Sequence, residues 1–327
     1  MNIAVDAMGG DNAPEVVIHG AVRACEELGC NIILVGDSDI ISSHMDDDYI
    51  RTGLSIHHCS ESIGMDESPM KAFRNKKDSS IRVAFELMKD GKADAVVSAG
   101  NSGATMAAGI LSSGKLKNVE RPALACVLPG DRGDFILVDA GANVDCRPVH
   151  LLQFGIMAEA FAVSCLGMSE PGIGLLNIGS EPGKGNEQAK AAYELFRNSP
   201  LNFAGNIEGR DILTGKVQII VCDGFTGNII LKFSEGMAES ISSRLWKGLN
   251  GNSLDRSGQE FITGLRESLD YAEYGGAPIL GINGVGIVCH GHSSSRAVKN
   301  AIKMACNFVE SKTGEKLYSK LQGYYPN

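Results

Sequence analysis

The sequence predicts an α/β protein in which a largely parallel sheet is covered by helices on both faces. Three observations carry this reading. Short apolar, β-rich runs alternate with helical patterns: NIAVD, NIILVG, LSIHHC, ADAVVSAG, ALACVL, DFILVDAG, GIGLLNIG, VQIIVCDG and VGIVCHG. Such alternation is the mark of crossover units, which place helices on both sides of parallel strands. Many of the runs end in Asp, Ser or Asn beside Gly, as in VSAGNSGA, VDAGAN, LNIGSEPGKG, VCDGFTGN and VCHGHSS. Glycine fills 40 of the 327 positions, above the usual share of about 7%, and it concentrates at these turns. In open α/β sheets ligands sit beyond the carboxyl ends of strands, so the glycine turns together mark the expected site.

Taken in chain order, NIAVD leads into DAMGGDNAP, where Gly9 and Gly10 let the chain turn sharply and Asp11 or Asn12 is expected to cap a helix begun near Pro14. Asp6, at the strand end, is a candidate carboxylate for orienting Lys184 or a donor in the cleft. KAFRNKKDSS follows the third run and holds a basic cluster, Lys71, Arg74, Lys76 and Lys77. SAGNSGAT closes the run ADAVV and opens a helix. Its small residues free backbone N–H groups for an anion, so Ser98, Gly100, Asn101, Ser102 and Gly103 are candidate phosphate ligands, with plain helix capping as the bland alternative.

NIGSEPGKGNE approaches a P-loop but misses its spacing, because Gly179 lies four residues before Gly183 and Gly185 stands where Ser or Thr would hold magnesium. Lys184 is nevertheless well placed to meet a phosphate or a developing oxyanion. CDGFTGN sets Asp223 at a strand end, with Thr226 and Asn228 as donors. The late VCHGHSSS places His290 and His292 before a final helix; no third ligand accompanies them, so no metal and no cofactor is expected.

One segment, Ile229–Glu273, has two amphipathic stretches with no strand between them. Ile230, Phe233, Met237, Ile241, Leu245 and Leu249 make one helical stripe; Phe261, Ile262, Leu265 and Leu269 make another. The expectation is a helical hairpin, 229–273, inserted in a single 1–327 α/β/α domain and packing in a homodimer. Leu254, Phe261 and Ile262 near its tip are candidates for peripheral membrane contact.

The bulk numbers exclude other classes. A net charge of −9 with 43% hydrophobic residues argues against a nucleic-acid binder. Apolar runs stop well short of the roughly 20 residues of a membrane span, and MNIAVD carries no export signal, so the cytoplasm is the expected compartment. Nine cysteines without a C-x-x-C pair read as reduced core residues. No G-x-S-x-G, HExxH or strand-following G-x-G-x-x-G is present, which leaves no nucleophile elbow and no nicotinamide fingerprint.

DAMGGDNAP, KKDSS, SAGNSGA, DAGAN, NIGSEPGKGNE, CDGFTGN and GHSSS, in this order over residues 1 to about 310, resemble the motifs of the PlsX-type phosphate acyltransferase family. The resemblance implies a three-layer α/β/α sandwich with a mixed, mostly parallel sheet, similar to isocitrate and isopropylmalate dehydrogenases and phosphotransacetylases. It also implies a homodimer and transfer of a fatty acyl group from an acidic acyl carrier protein to phosphate, the acyl phosphate then feeding a membrane glycerol-3-phosphate acyltransferase in phospholipid synthesis.

Phosphate is itself the nucleophile in that reaction, which fits the missing elbow. On this reading Ser98, Asn101, Ser102 and Gly103 hold phosphate, Lys184 with Asn228 stabilises the oxyanion, and Asp223 and Asp6 support them. His290 or His292 assists the leaving thiol, and the Lys71–Lys77 cluster docks the carrier protein. The rivals are a phosphotransacetylase-like enzyme using acyl-coenzyme A, and a non-enzymatic scaffold that binds a membrane or partner.

Overall fold

The computed structural model describes residues 1–45, 53–248, 256–258, 260 and 275–324. The strands are β1 (Asn2–Asp6), β2 (Asn31–Gly36), β3 (Leu54–His58), β4 (Ala95–Ser98), β5 (Ala123–Leu128), β6 (Phe135–Val138), β7 (Ile173–Leu176), β8 (Phe203–Ile207), β9 (Ile219–Val221), β10 (Ala277–Leu280) and β11 (Gly286–Val288). They form one 11-stranded sheet in the order β3-β2-β1-β4-β11-β10-β5-β6-β9-β7-β8.

Strands β3, β2, β1, β4 and β11 pair parallel to one another, and so do β6, β9, β7 and β8. Between the two sets, β10 and β5 pair antiparallel with each other and with their outer neighbours β11 and β6. The sheet is thus mixed, and the two parallel sets run in opposite senses. Their carboxyl ends therefore do not share one edge of the sheet.

Side-chain alternation along the strands builds a core on each face. Ile3, Val5, Ile136 and Val138 enter one cluster with α1 (Glu15–Leu28), α6 (Pro148–Cys165), α7 (Glu187–Arg197), α9 (Ser295–Glu310) and α10 (Thr313–Tyr324). Ala4, Phe135 and Leu137 enter the other with α3 (Pro69–Asn75), α4 (Ser80–Lys89) and α5 (Ser102–Ala108). Helix, sheet and helix make the three layers expected. A short helix α2 (Ser38–Ser43) follows β2, and α8 (Gly224–Gly248) follows β9.

Helix α6 is the one described helix long and apolar enough to cross a membrane, and 67% of it is buried within the protein. It is apolar all round because it lies between the sheet and α10, so no face needs to be polar. All nine cysteines are free, and seven of them are buried.

Two strands escape the alternation pattern. β10 contains Pro278, which removes a ladder donor, and β8 bends at Gly205, whose φ is +101°. The expected cap of α1 also differs: its N-cap is Pro14, without a side-chain bond, and Asp11 pairs instead with His292 at 2.7 Å. Of the expected hairpin, α8 supplies the first stretch; Leu249, Leu254, Phe261, Ile262, Leu265 and Leu269 lie outside the described residues.

Candidate functional site

The first set of strands ends in interlocked loops. Asp6, buried at the end of β1, accepts from Ser98 Oγ at 2.7 Å, and Ser98 Oγ accepts in turn from the Gly100 N–H at 3.0 Å. Burial pushes the Asp6 carboxyl up, against hydrogen bonds from Ser80, Ser98, Met8 and Gly9 that favour the anion. Gly9 makes this approach possible, since a Cβ there would stand 2.5 Å from Asp6 Oδ2 and 2.8 Å from the Gly100 nitrogen. Gly10, with φ +111°, then lets the chain pass under the His290–His292 turn, where Asp11 N–H donates to Gly291 O at 2.9 Å.

Asn101 spends both ends of its amide. Its Oδ1 accepts from the Ala104 N–H at 3.0 Å and caps α5, while Nδ2 donates to Met65 O and Glu67 O at 2.9 and 3.2 Å. This ties the segment before α3 to the SAGNSG turn. Ser98 and Asn101 therefore hold the loop, while Ser102 and Gly103 are exposed.

The second set ends in another locked pair of loops. Asp139 accepts the N–H groups of Leu124, Gly141, Ala142 and Asn143 and the Asn143 amide, at 2.7 to 3.3 Å. Asn143 O accepts the Gly224 N–H at 2.7 Å and so docks the start of α8 on the DAGAN loop. Asp223 Oδ1 accepts from the Thr226 N–H at 2.8 Å and so caps the start of α8.

Because the two sets run oppositely, α8 is what joins their ends. Asn228, one turn into α8, sits against Gly141; Lys232, one turn further, reaches His290 beyond β11, with Nζ to Nε2 at 2.9 Å. Lys232 also donates to Glu235 Oε2 at 2.9 Å, and Glu235 Oε1 is buried with no hydrogen-bond partner. Ser102, Asn228, Lys232, Glu235 and His290 share a cavity of about 120 Å³ floored by β5, β10 and β11. Burial holds the His290 imidazole below its usual pKa, and the Lys232 charge adds to this, so the ring is neutral at pH 7.

A second cavity, of about 520 Å³, lies on the other side of the first turns of α8. Leu151, Leu175, Leu176, Ile212 and Ile230 give it an apolar lining, with Asp223 and Thr226 at the shared wall. Its rim includes Gly185 of the GSEPGKG turn; Lys184 beside it is exposed. That turn is held by backbone groups: Lys184 N–H donates to Glu181 O at 3.1 Å, and Asn177 Nδ2 donates to Lys184 O at 3.0 Å.

The candidates thus fall into two groups. Ser102, Asn228 and His290 come together in the smaller cavity; Asp223 lines the larger one, at whose rim the Lys184 turn lies. His292 pairs with Asp11. Lys232 and Glu235 were not singled out from the sequence. Asn228, Lys232 and Glu235 fall at i, i+4 and i+7, the spacing of one helix face, and that polar stripe was the available signal.

Cysteines 126, 222 and 289 line the cavities, and burial holds them as thiols. Cys126 and Cys289 are pushed up to about 12, and Cys222 is raised well above its ordinary value. Burial thus disfavours the thiolate form at all three positions.

Of the basic cluster, Lys76 is drawn inward, donating to Glu67 Oε1 at 2.5 Å and Ser62 O at 2.7 Å. Lys71, Arg74 and Lys77 remain exposed on and after α3. Helix α3 abuts the SAGNSG turn closely, since a Cβ on Gly103 would meet Pro69 Cγ at 2.6 Å.

The fatty acid synthesis protein family matches residues 1–316. A phosphate acyltransferase of Trichlorobacter lovleyi is 47% identical over 331 residues, covering 99% of this chain and 96% of its own. One from Pelobacter propionicus is 48% identical, covering 98% and 94%. Among solved structures, a phosphotransacetylase from Streptococcus pyogenes aligns over 96% of this chain and 94% of its own, with a TM-score of 0.62 at 16% identity. A branched-chain phosphotransacylase from Enterococcus faecalis V583 aligns over 94% and 99%, with a TM-score of 0.62 at 15% identity. These structures share the fold, the mixed-sheet α/β architecture expected from the motifs. The chain belongs to the fatty acid synthesis protein family, and it is an acyltransferase that moves an acyl group to phosphate.

Proposed function

We propose that the acyl donor is a fatty acyl-[acyl-carrier-protein] and that the product is a fatty acyl phosphate destined for phospholipid synthesis. The observation that carries this reading is the pairing of a small polar cavity with a larger apolar one across the first turns of α8. A volume of about 520 Å³ lined by leucine and isoleucine suits a long acyl chain, and it lies in the range of small-molecule pockets generally.

In this reading Ser102 and Gly103, on a loop fixed by Ser98, Gly100 and Asn101, meet the phosphate. Lys184 and Asn228 approach the thioester carbonyl from its two sides and stabilise the tetrahedral oxyanion. Asp223 fixes the start of α8, and Asp6 fixes Ser98. The departing thiol has an ordinary pKa near 8.5, so it needs little general acid help. His290 is neutral at pH 7 and contributes its N–H as a hydrogen-bond donor; His292, held by Asp11, supports the same turn.

The carrier protein is acidic, and Lys71, Arg74 and Lys77 beside the cleft give it a docking face. Association is expected to weaken as salt rises: the Michaelis constant for acyl carrier protein increases several-fold between about 0.05 and 0.3 M salt while turnover holds. A Michaelis constant flat across that range removes the electrostatic docking.

The enzyme also works as a cytoplasmic homodimer in this reading. Phe225, Ile229, Phe233, Met237 and Ile241 of α8 are 40% to 65% exposed at four-residue intervals, an apolar stripe that a second copy would cover. Contact with a membrane surface, and with it coupling to a glycerol-3-phosphate acyltransferase, is assigned to Leu254, Phe261 and Ile262, which lie outside the described residues.

Comparing phosphate-dependent consumption of palmitoyl-[acyl-carrier-protein] with that of acetyl-coenzyme A tests the donor. Preference for the carrier protein supports the reading; preference for acetyl-coenzyme A replaces it with a phosphotransacetylase activity. Membrane or partner binding with neither reaction leaves a scaffold.

A further inference from the structure

The Lys184 side chain is exposed, but the peptide units on either side of it are tied to the ends of two strands. Asn177, just beyond β7, donates from Nδ2 to Lys184 O at 3.0 Å. On the other side the Lys184 N–H donates to Glu181 O at 3.1 Å, and the same oxygen accepts from Asn206 Nδ2 of β8 at 2.9 Å. Two asparagines, one from each strand, thus fix the backbone from which the lysine projects.

Asn206 is 3% exposed, and it stands opposite the core residue Leu175 in the ladder between β7 and β8. Its Oδ1 is buried with no hydrogen-bond partner among the described residues. A buried polar atom without a partner costs stability, and a leucine of the same branched outline would avoid that cost. The amide therefore serves through its donor, and a backbone carbonyl such as Glu181 O accepts only from a donor, which fixes the amide's orientation. Asn206 lines neither cavity, so it acts on the site through the turn alone.

We propose that Asn206 is a positioning residue for Lys184. Through Glu181 O it sets where the Lys184 backbone stands at the rim of the larger cavity, and so the reach of the ammonium to the thioester carbonyl. This rests on Lys184 acting at the oxyanion.

The test is Asn206→Leu, made in the wild-type and Lys184→Ala backgrounds. Turnover should fall about tenfold, because a small misplacement of a catalytic donor is costly. The Michaelis constants for phosphate and for the acyl thioester should stay within about twofold. The thermal midpoint should hold or rise, since the unpartnered oxygen is gone. Hydrogen exchange should quicken in the peptide that carries Lys184 and Gly185. In the Lys184→Ala background the same substitution should change turnover by less than about twofold, because no ammonium is left to place. Asn206→Asp has the same outline and adds a pH readout. Its protonated acid can donate to Glu181 O and its carboxylate cannot, so its turnover relative to the wild-type enzyme should fall as pH rises from about 5.5 to about 8.5.

Wild-type turnover in Asn206→Leu, with an Asn206→Asp ratio that stays at one across that range, overturns the proposal; a loss in Lys184→Ala then leaves the assignment of Lys184 standing. Should Asn206→Leu fail to fold, the pH ratio of Asn206→Asp decides. An equal loss from Asn206→Leu with and without the Lys184 side chain means that Asn206 acts on something else, which also overturns the proposal. Near-normal turnover in Lys184→Ala removes the assignment of Lys184, and the proposal falls with it.

Discussion

Replacing Lys184 with alanine is expected to lower turnover about a hundredfold or more while leaving the fold intact. A well-aimed donor to a developing oxyanion is worth about 3 to 4 kcal/mol, because the charge it meets exists only in the transition state. The structural cost should be small. The turn is held by the Lys184 N–H and carbonyl, by Asn177 and by the Asn206 bond to Glu181 O at 2.9 Å, none of which needs the lysine side chain. The side chain is exposed and merely passes over Gly179. Steady-state kinetics check this directly, and near-normal turnover in Lys184→Ala removes Lys184 from the chemistry.

The largest effect on stability is expected at Gly227. A Cβ there would lie 1.9 Å from the carbonyl oxygen of Asp139, so the start of α8 and the DAGAN loop cannot both keep their places. The loop has little freedom to yield, since the Asp139 carboxylate is held by five N–H donors and Gly224 is bonded to Asn143. Gly227→Ala should therefore cost about 3 kcal/mol or more, at or beyond the upper end for overpacking. Because this junction carries α8 to His290, activity should fall with stability. Gly236→Ala in the same helix is the control: nothing lies within 4 Å of its Cβ position, and alanine is the better helix former. Equilibrium unfolding of the two variants gives the comparison, and a Gly227→Ala variant as stable as Gly236→Ala contradicts the packing account.

Much of the layer plan was legible because it rests on local pattern. Runs such as ALACVL and DFILVDAG became β5 and β6, and their alternate residues feed the two cores. APIL and FAGNI were not legible, since Pro278 and Gly205 mask the pattern that a strand reading needs. The opposite sense of the two parallel sets was hidden for a different reason. Strand direction is set by pairing partners far apart in sequence, as when Leu280 meets Ala123. That reversal is why the glycine turns, expected to gather at one edge, divide between two cavities with α8 as the common wall.

The site was legible to the extent that its residues sat in glycine turns. Asn228 and His290 stood out on those grounds and meet in the smaller cavity. Lys232 and Glu235 did not, because on a helix they read as ordinary surface charges. Asp11 shows the converse case: a residue read as a local cap forms a long-range pair with His292. Side chains that act across the fold leave only weak marks in local sequence.

The most direct test of the central claim is to supply palmitoyl-[acyl-carrier-protein] and isotopically labelled inorganic phosphate and follow both products. Labelled acyl phosphate should appear one for one with free carrier thiol, and neither should form when phosphate is withheld. Thiol release that continues without phosphate, with no labelled acyl phosphate, would mean hydrolysis and would contradict direct attack by phosphate in the cleft beneath α8.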